Sequence, residues 1–261
     1  MLNLFQHLMK ETPKQVRGDR NQEFGMTRPF SPVQIIKSFL TVIPYIRITF
    51  AVVLGTILLG MALAVLLFAQ KQSKKRWVRA LADGYINVIR CTPSIVLLFI
   101  VYYGIPKIAL IVFGLNLNFS SKIIYVILSL SLIYAASLAE IIRSAYLALG
   151  RTQYEAALAI GLTPLQAIRR VMLPQGLVIA LPNLGNSLIS LFKEGSLAFT
   201  IGLIDMMGAG NLIISRNYGA YSLETYIALA IIYWALTLII EQIFLKLEKH
   251  YSKGRRNLNA A

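Results

Sequence analysis

Five long apolar runs dominate this chain of 261 residues. They lie at about 42–70, 94–113, 123–149, 177–199 and 225–245. A helix of roughly 20 apolar residues is long enough to cross the hydrocarbon core of a bilayer. The composition agrees, because 57% of the residues are hydrophobic and only 14% are charged, against about 45–50% and about 25% in soluble domains. The sequence therefore predicts an all-α, polytopic membrane protein with five transmembrane helices.

The basic residues, which give a net charge of +15, cluster beside the apolar runs, at 71–79 and at 246–256. An excess of Lys and Arg marks cytoplasmic loops, and five spans place both clusters on one side, so we expect a membrane setting and no nucleic acid. The basic N-terminal tail disagrees, since this topology puts it outside; the spacing of its first apolar residues is typical of an interfacial helix. The expected divisions are a tail at 1–34, a transmembrane domain at 35–250 with a polar loop at 152–175, and a cytoplasmic tail at 251–261.

The polar loop between the third and fourth runs has the start and stop signals of two short helices. In chain order these signals are Thr152 with Glu155, Gly161, Thr163 with Pro164 and Gln166, and Pro174. Each Thr with a Glu or Gln three residues later fits a capping box, Gly161 suits the end of the first helix, and Pro174 is expected to stop the second. Helices this short are marginal alone in water. The pattern therefore predicts a cytoplasmic helical hairpin against which a partner docks.

The fourth apolar run carries a polar stripe. Its members are Asn183, Asn186, Ser187, Ser190, Lys193 and Glu194. Steps of three and four residues place them on one helical face, and polar groups within a bilayer tend to face a bundle interior or a water-filled cavity. We interpret the stripe as the lining of a translocation path; the alternative is hydrogen bonding between helices.

Two charged residues, Glu140 and Arg143, lie three positions apart in the third run and so share a helical face. A local ion pair near the cytoplasmic end is the first interpretation, and direct contact with a substrate is the alternative. A further proline, Pro106, is expected to kink or end the second transmembrane helix.

The chain has no residues that suggest catalysis or a metal site. It lacks the G-x-x-x-x-G-K-[ST] loop that cradles nucleotide phosphates, and its one cysteine and two histidines are far apart in sequence. Energy for any transport must then come from a partner or from an ion gradient. An ion-coupled secondary transporter or channel stays as the alternative, although such proteins favour inverted repeats and charges at mid-span.

Several motifs, in order, resemble those of one family. They are Arg90-x-Thr92-Pro93, Tyr102-Tyr103-Gly104-Ile105-Pro106, Ala139-Glu140-Ile141-Ile142-Arg143, Gln153-Tyr154-Glu155-Ala156-Ala157 with Gly161 and Val171-x-Leu173-Pro174, and Lys193-Glu194-x-Ser196-Leu197. Together they resemble the permease subunits of ABC importers, in the branch that takes up polar amino acids, and the hairpin resembles that family's EAA loop. The stretch at 198–208 is most similar to cystine-type permeases.

The resemblance implies a permease subunit of an ATP-driven importer in the bacterial plasma membrane. The coupling positions would be Glu155, Ala156, Ala157, Gly161 and Leu162, although Glu155 also has a plain role as a capping residue. The implied partners are an ATP-binding subunit, an extracellular substrate-binding protein and a second permease chain, identical or similar. ATP and Mg²⁺ would bind to the ATPase partner, with no cofactor in this chain, and the transported amino acid stays open.

Overall fold

The computed structural model describes residues 29–117 and 121–256, with side chains as far as Tyr251. Within these residues the chain is helical, and nine α-helices can be followed. They are α1 (Pro32–Val42), α2 (Ile46–Lys71), α3 (Arg76–Cys91), α4 (Ser94–Phe113), α5 (Lys122–Ala159), α6 (Pro164–Ala167), α7 (Leu173–Gly195), α8 (Met206–Arg216) and α9 (Ser222–Arg256). Short 3₁₀ turns follow α1 and α7, and a π turn joins α6 to α7. The proposed interfacial helix at the very N-terminus lies outside the described residues.

Five helical runs of the described chain are long and apolar enough to cross a membrane. They are Pro32–Lys71, Ser94–Phe113, Lys122–Ala159, Pro164–Ile201 and Ser222–Tyr251. The prediction of an all-α membrane protein with five transmembrane helices is therefore confirmed. Successive runs alternate in direction, so the bundle has two ends. We call the end with Lys71 and the hairpin the hairpin end, and the end with Phe113 and Lys122 the distal end.

Helix α5 lies at the centre of the bundle and packs against α2, α3, α4 and α7. Small residues on α2 allow α2 and α5 to approach closely. A Cβ added at Gly55 would lie 2.7 Å from the Ile127 side chain, and one at Gly60 would lie 3.0 Å from Tyr134. Without a strong hydrophobic driving force between helices in lipid, such close packing of small residues holds transmembrane helices together.

A second buried cluster joins α1, α8 and α9 around Val42, Met206 and Leu229. The Ser38 and Thr225 hydroxyls, 3.2 Å apart, form a buried hydrogen bond between α1 and α9. This cluster packs the glycine-rich segment after α7, which includes α8, against the distal end of the bundle.

Helix α3 was missed, because the basic residues at 71–79 were interpreted as a loop. The helix begins at Arg76 and buries one narrow face, with Ala82, Ile86 and Ile89 packed on the bundle. The Tyr85 hydroxyl donates to the Leu132 carbonyl on α5, 3.0 Å away. Charged residues at the start of α3 obscured this periodicity, which shows only when the full 16-residue helix is considered.

Two expected helix boundaries were wrong, at Pro174 and Thr152, and of the two alternatives for Pro106 the end of a helix is excluded. Pro106 lies inside α4, which runs on to Phe113, and Pro174 is the second residue of α7 rather than a stop signal. In membrane helices, local π or 3₁₀ turns and neighbouring groups compensate for the missing proline N–H, and a π turn directly precedes α7. Thr152 does not begin a helix either, since α5 breaks two residues earlier, at Gly150, with φ 71° and ψ 159°.

Candidate functional site

The hairpin consists of the end of α5 after Gly150, a turn at Gly161, and α6. The second capping box forms as predicted. The backbone N–H of Gln166 donates to the Thr163 hydroxyl (3.4 Å), and the backbone N–H of Thr163 donates to the Gln166 side-chain oxygen Oε1 (3.0 Å). Gly161 has φ +86°, the left-handed conformation that suits glycine. The first capping box does not form, since Thr152 lies within a helical turn that starts after Gly150.

The tip of the hairpin exposes large apolar side chains. Ile160 is 79% exposed, Leu165 73% and Ile168 48%. We call these three residues, with the exposed Gly161 between them, the hairpin tip. A Cβ at Gly161 would meet no atom of this chain within 4 Å. An apolar surface at the end of a bundle, rather than along its lipid-facing sides, indicates a protein partner.

The predicted coupling residues have different environments. Glu155 and Ala156 are exposed, and Leu162 is half-buried. Ala157, in contrast, is 3% exposed and packs inside this chain. Ala157 therefore holds the first half of the hairpin against the bundle, whereas Glu155, Ala156 and Gly161 face outwards.

A cavity of about 630 Å³ opens between α5 and α7. Its lining consists of Arg90, Ser137, Glu140, Ile141, Arg143, Ser144, Asn186, Ser187, Ser190 and Glu194. Four of the six predicted stripe residues thus lie on this cavity, while Asn183 and Lys193 are exposed elsewhere. The alternative interpretation also holds in part, because Ser187 hydrogen-bonds to Tyr134 on α5.

The cavity has two basic and two acidic side chains, Arg90 and Arg143 against Glu140 and Glu194. Glu140 is held from both sides: its Oε2 accepts from Arg143 Nε at 2.8 Å, and its Oε1 accepts from Lys71 Nζ at 2.6 Å. The local ion pair expected from the sequence is therefore present. Because the pair with Glu140 uses only the Nε–H of Arg143, the guanidinium keeps four other N–H donors for further contacts.

Lys71 was not anticipated from the sequence. Besides Glu140 it pairs with Asp83 at 2.8 Å, so it ties together α2, α3 and α5. These are the ion pairs found within the described residues. The partners lie 12 and 69 positions away in sequence, which no local helical spacing predicts.

The break between α3 and α4 lies beside the cavity. Thr92 and Pro93 are extended rather than helical, and the Ser94 side chain, at the start of α4, hydrogen-bonds to Glu194 of α7. Arg90 lies at the end of α3 and also lines the cavity. Interrupted helices within a membrane occur where backbone lines a cavity or is buried in protein, so this break belongs to the polar site.

The described residues contain no group of three or more His, Cys, Asp or Glu side chains that could hold a metal ion. Cys91 is a free, exposed thiol at the end of α3. The cavity between α5 and α7 combines hydroxyl and amide groups with side chains of both charges.

Sequence comparison places this architecture among known permeases. The family described as "Binding-protein-dependent transport system inner membrane component" matches residues 56–253. The L-cystine transport system permease protein TcyL of Bacillus subtilis (strain 168) is 38% identical over 218 residues, which are 84% of this chain and 90% of the relative. The probable amino-acid permease protein YxeN of the same organism is 35% identical over 222 residues, or 85% and 96% of the two chains.

Solved structures give the same result. A crystal structure of an amino acid ABC transporter with histidines has a TM-score of 0.73 and 29% sequence identity, covering 85% of this chain and all (100%) of the other. An inward-facing MetNI methionine ABC transporter reaches a TM-score of 0.59 at 19% identity, over 86% of this chain and 100% of the other. The second likeness concerns the fold alone.

Proposed function

Because the chain belongs to the family of binding-protein-dependent transport system inner membrane components, we propose that it is the permease subunit of an ATP-driven importer of polar amino acids. Its curated relatives are named as amino-acid permeases, one of them for L-cystine. Cystine is therefore the first substrate to test. The chain carries the membrane path, and ATP with Mg²⁺ binds to a separate ATPase subunit.

The hairpin tip is the docking site for that ATPase subunit. An exposed apolar tip formed by Ile160, Leu165 and Ile168 requires a protein to cover it, and this arrangement is the single observation that best supports the proposal. Glu155 and Ala156 flank the same contact. The basic clusters on the hairpin side support a cytoplasmic location for this end, with the chain in the plasma membrane of a bacterium as part of the proposal.

The direct chain connections of the hairpin explain how docking would drive transport. The first half of the hairpin is joined to the transmembrane part of α5 at the break at Gly150, and its second half leads through the π turn directly into α7. These two helices are the walls of the cavity. A displacement of the tip by closing ATPase subunits is therefore transmitted to both walls, and nucleotide shifts the balance between two conformations.

The cavity suits an amino-acid zwitterion. Arg90 and Arg143 offer donors for the carboxylate, Glu194 accepts from the ammonium group, and Asn186 and Ser190 provide further polar contacts. We propose these residues as the substrate path, together with Ser187. Asn183 and Lys193 belong to the same proposed path at its margins, where neither lines the cavity in this conformation.

The complete importer would contain two permease chains, identical or similar, and two ATPase subunits. A substrate-binding protein would deliver the amino acid to the distal end, which faces outwards. An ion-coupled transporter or channel is less well supported. It would leave the hairpin tip without a role, and the solved structures that share this fold are ABC transporters.

Uptake of labelled amino acids into proteoliposomes tests the proposal. The permease, its ATPase subunit and its binding protein are reconstituted, and cystine is compared with a panel of polar amino acids. We expect ATP-dependent accumulation of one class of amino acid. Asn186→Ala should raise the substrate concentration needed for half-maximal uptake, whereas Asn87→Ala, at an exposed position of α3 outside the cavity, should change it little. Accumulation driven by an ion gradient without ATP would refute the proposal.

A further inference from the structure

A second cavity, of about 410 Å³, lies at the distal end between α4 and α5. Its lining consists of Tyr102, Tyr103, Pro106, Lys107, Leu110, Leu117, Lys122 and Tyr125. It is separate from the polar cavity between α5 and α7, with which it shares no lining residue. The proposed transport cycle gives this cavity no role.

The charge of this distal cavity is positive. Lys107 and Lys122 line it and no acidic residue does. Within the described residues neither lysine takes part in an ion pair. The Lys122 ammonium donates to the Gly202 carbonyl over 3.3 Å, a neutral and long contact. Two cations facing one cavity without a counter-charge indicate an anionic ligand.

The aromatic wall is fixed in place. The Tyr102 ring packs edge-on against Tyr125, with centroids 5.5 Å apart, and the Tyr125 hydroxyl donates to the Leu117 carbonyl at 2.9 Å. Tyr125 and Lys122 lie in the first turn of α5, and tyrosines at the ends of transmembrane helices typically lie at the level of lipid headgroups. The cavity thus lies at the depth of a membrane interface.

The surface next to the cavity is apolar. On α4, Val96 is 43% exposed and Ile100 57%, and Ile100 lies two helical turns before Lys107, on the same helical face and towards the middle of the span. A soluble partner protein bound at the distal end would leave this apolar ridge uncovered, whereas the acyl chains of a bound lipid would cover it. The juxtaposition of a cationic cavity and an apolar ridge fits a molecule with an anionic head and apolar tails.

We propose that the distal cavity binds the phosphate headgroup of an anionic phospholipid through Lys107 and Lys122, with the acyl chains along the exposed face of α4. The tyrosines form the rest of the headgroup pocket. Because Lys122 also contacts Gly202, in the turn that leads from α7 to α8, a bound lipid would act on the distal end of a helix that lines the polar cavity.

Lipid retention tests this site. The full-length permease is purified from nanodiscs of phosphatidylcholine, or of phosphatidylcholine with phosphatidylglycerol, and bound lipids are counted by native mass spectrometry. Each Lys near an anionic lipid contributes about fivefold in affinity. We therefore expect the double variant Lys107→Gln/Lys122→Gln to bind phosphatidylglycerol about 30-fold more weakly. The charge-preserving variant Lys107→Arg/Lys122→Arg should retain most of the binding, which separates loss of charge from misfolding.

A matched control is Lys37→Gln, which should leave lipid retention unchanged. Lys37 is an exposed lysine of α1 that lies outside the cavity and nearer the distal end than Lys71 does. Equal retention in the double Gln variant and the wild type would overturn the proposal, as would an equal loss in the control. Displacement by soluble glycerol phosphate at matched concentration would identify a site for free phosphate rather than lipid. Unchanged lipid retention with weakened response to the substrate-binding protein would instead assign the lysines to a protein contact.

Discussion

Substitution of Gly161 separates the two reasons for a glycine at the hairpin tip. Its φ of +86° is costly for residues with a Cβ, by roughly 1–2 kcal/mol, while Asn tolerates this region better than Ala does. A Cβ there meets nothing within 4 Å in this chain, so backbone strain is the whole cost in the isolated permease. Strain alone therefore predicts that Gly161→Ala is more harmful than Gly161→Asn.

Docking predicts the opposite order. If the tip enters a groove of an ATPase subunit, each atom added at residue 161 collides with the partner, and the larger Asn side chain is at least as harmful as Ala. Gly161→Asp adds a charge that the apolar contact must desolvate, so it should abolish transport-coupled ATP hydrolysis while the permease still inserts.

Two measurements on the same variants complete the test. Thermal unfolding of the isolated permease reports strain, and should show Asn closer to the wild type than Ala. Stimulation of ATP hydrolysis by substrate and binding protein reports docking, and should fall in the order Ala, Asn, Asp. If hydrolysis instead follows the thermal order, with Asn nearly normal, the tip does not dock and the reasoning fails.

Three further changes test the packing and the charges. Gly185→Val should lower the melting temperature by overpacking worth about 1–3 kcal/mol, because a Cβ at Gly185 already lies 2.9 Å from the Phe244 ring; an unchanged melting temperature would contradict the α7–α9 contact. Lys71→Gln should cost about 1.5–3 kcal/mol by removing charge-assisted bonds, whereas Lys74→Gln, in the exposed loop, should have little effect; equal melting curves would disprove the network. Burial raises the pKa of Asp205 from 3.8 to about 6, so the folded state binds the proton more tightly than the unfolded state does. The free energy of unfolding should therefore fall by up to about 3 kcal/mol as the pH rises from about 4 to about 6. Thermal unfolding curves of Asp205→Asn, which keeps the cap on α8, should lack this fall.

The elements that the sequence predicted well depend on local chemistry. The five spans follow from length and apolarity alone, and the Thr163–Gln166 capping box depends on residues three positions apart. Helical spacing also brought most of the polar stripe to one cavity. These features need only the period of a helix and the cost of polar groups in lipid.

The elements that were missed depend on distant contacts. The amphipathic α3 buries only one narrow face against the other helices, and the ion pairs of Lys71 join α2, α3 and α5. Pro174 was expected to stop a helix, because nothing in the local sequence indicates the π turn that precedes it. Likewise, Ala156 and Ala157 belong to the same motif, and only the tertiary packing decides which of these two adjacent alanines faces inwards.

Site-directed labelling of the hairpin tip tests the central claim most directly. The substitution Cys91→Ser removes the single cysteine of the chain. In that background, Leu165→Cys (Leu165 is 73% exposed) is compared with Tyr218→Cys (Tyr218 is 91% exposed) at the distal end. We predict that the purified ATPase subunit slows maleimide labelling at 165 and leaves labelling at 218 unchanged. Equal labelling rates at 165 with and without the ATPase subunit, in a complex that hydrolyses ATP and transports, would contradict the account.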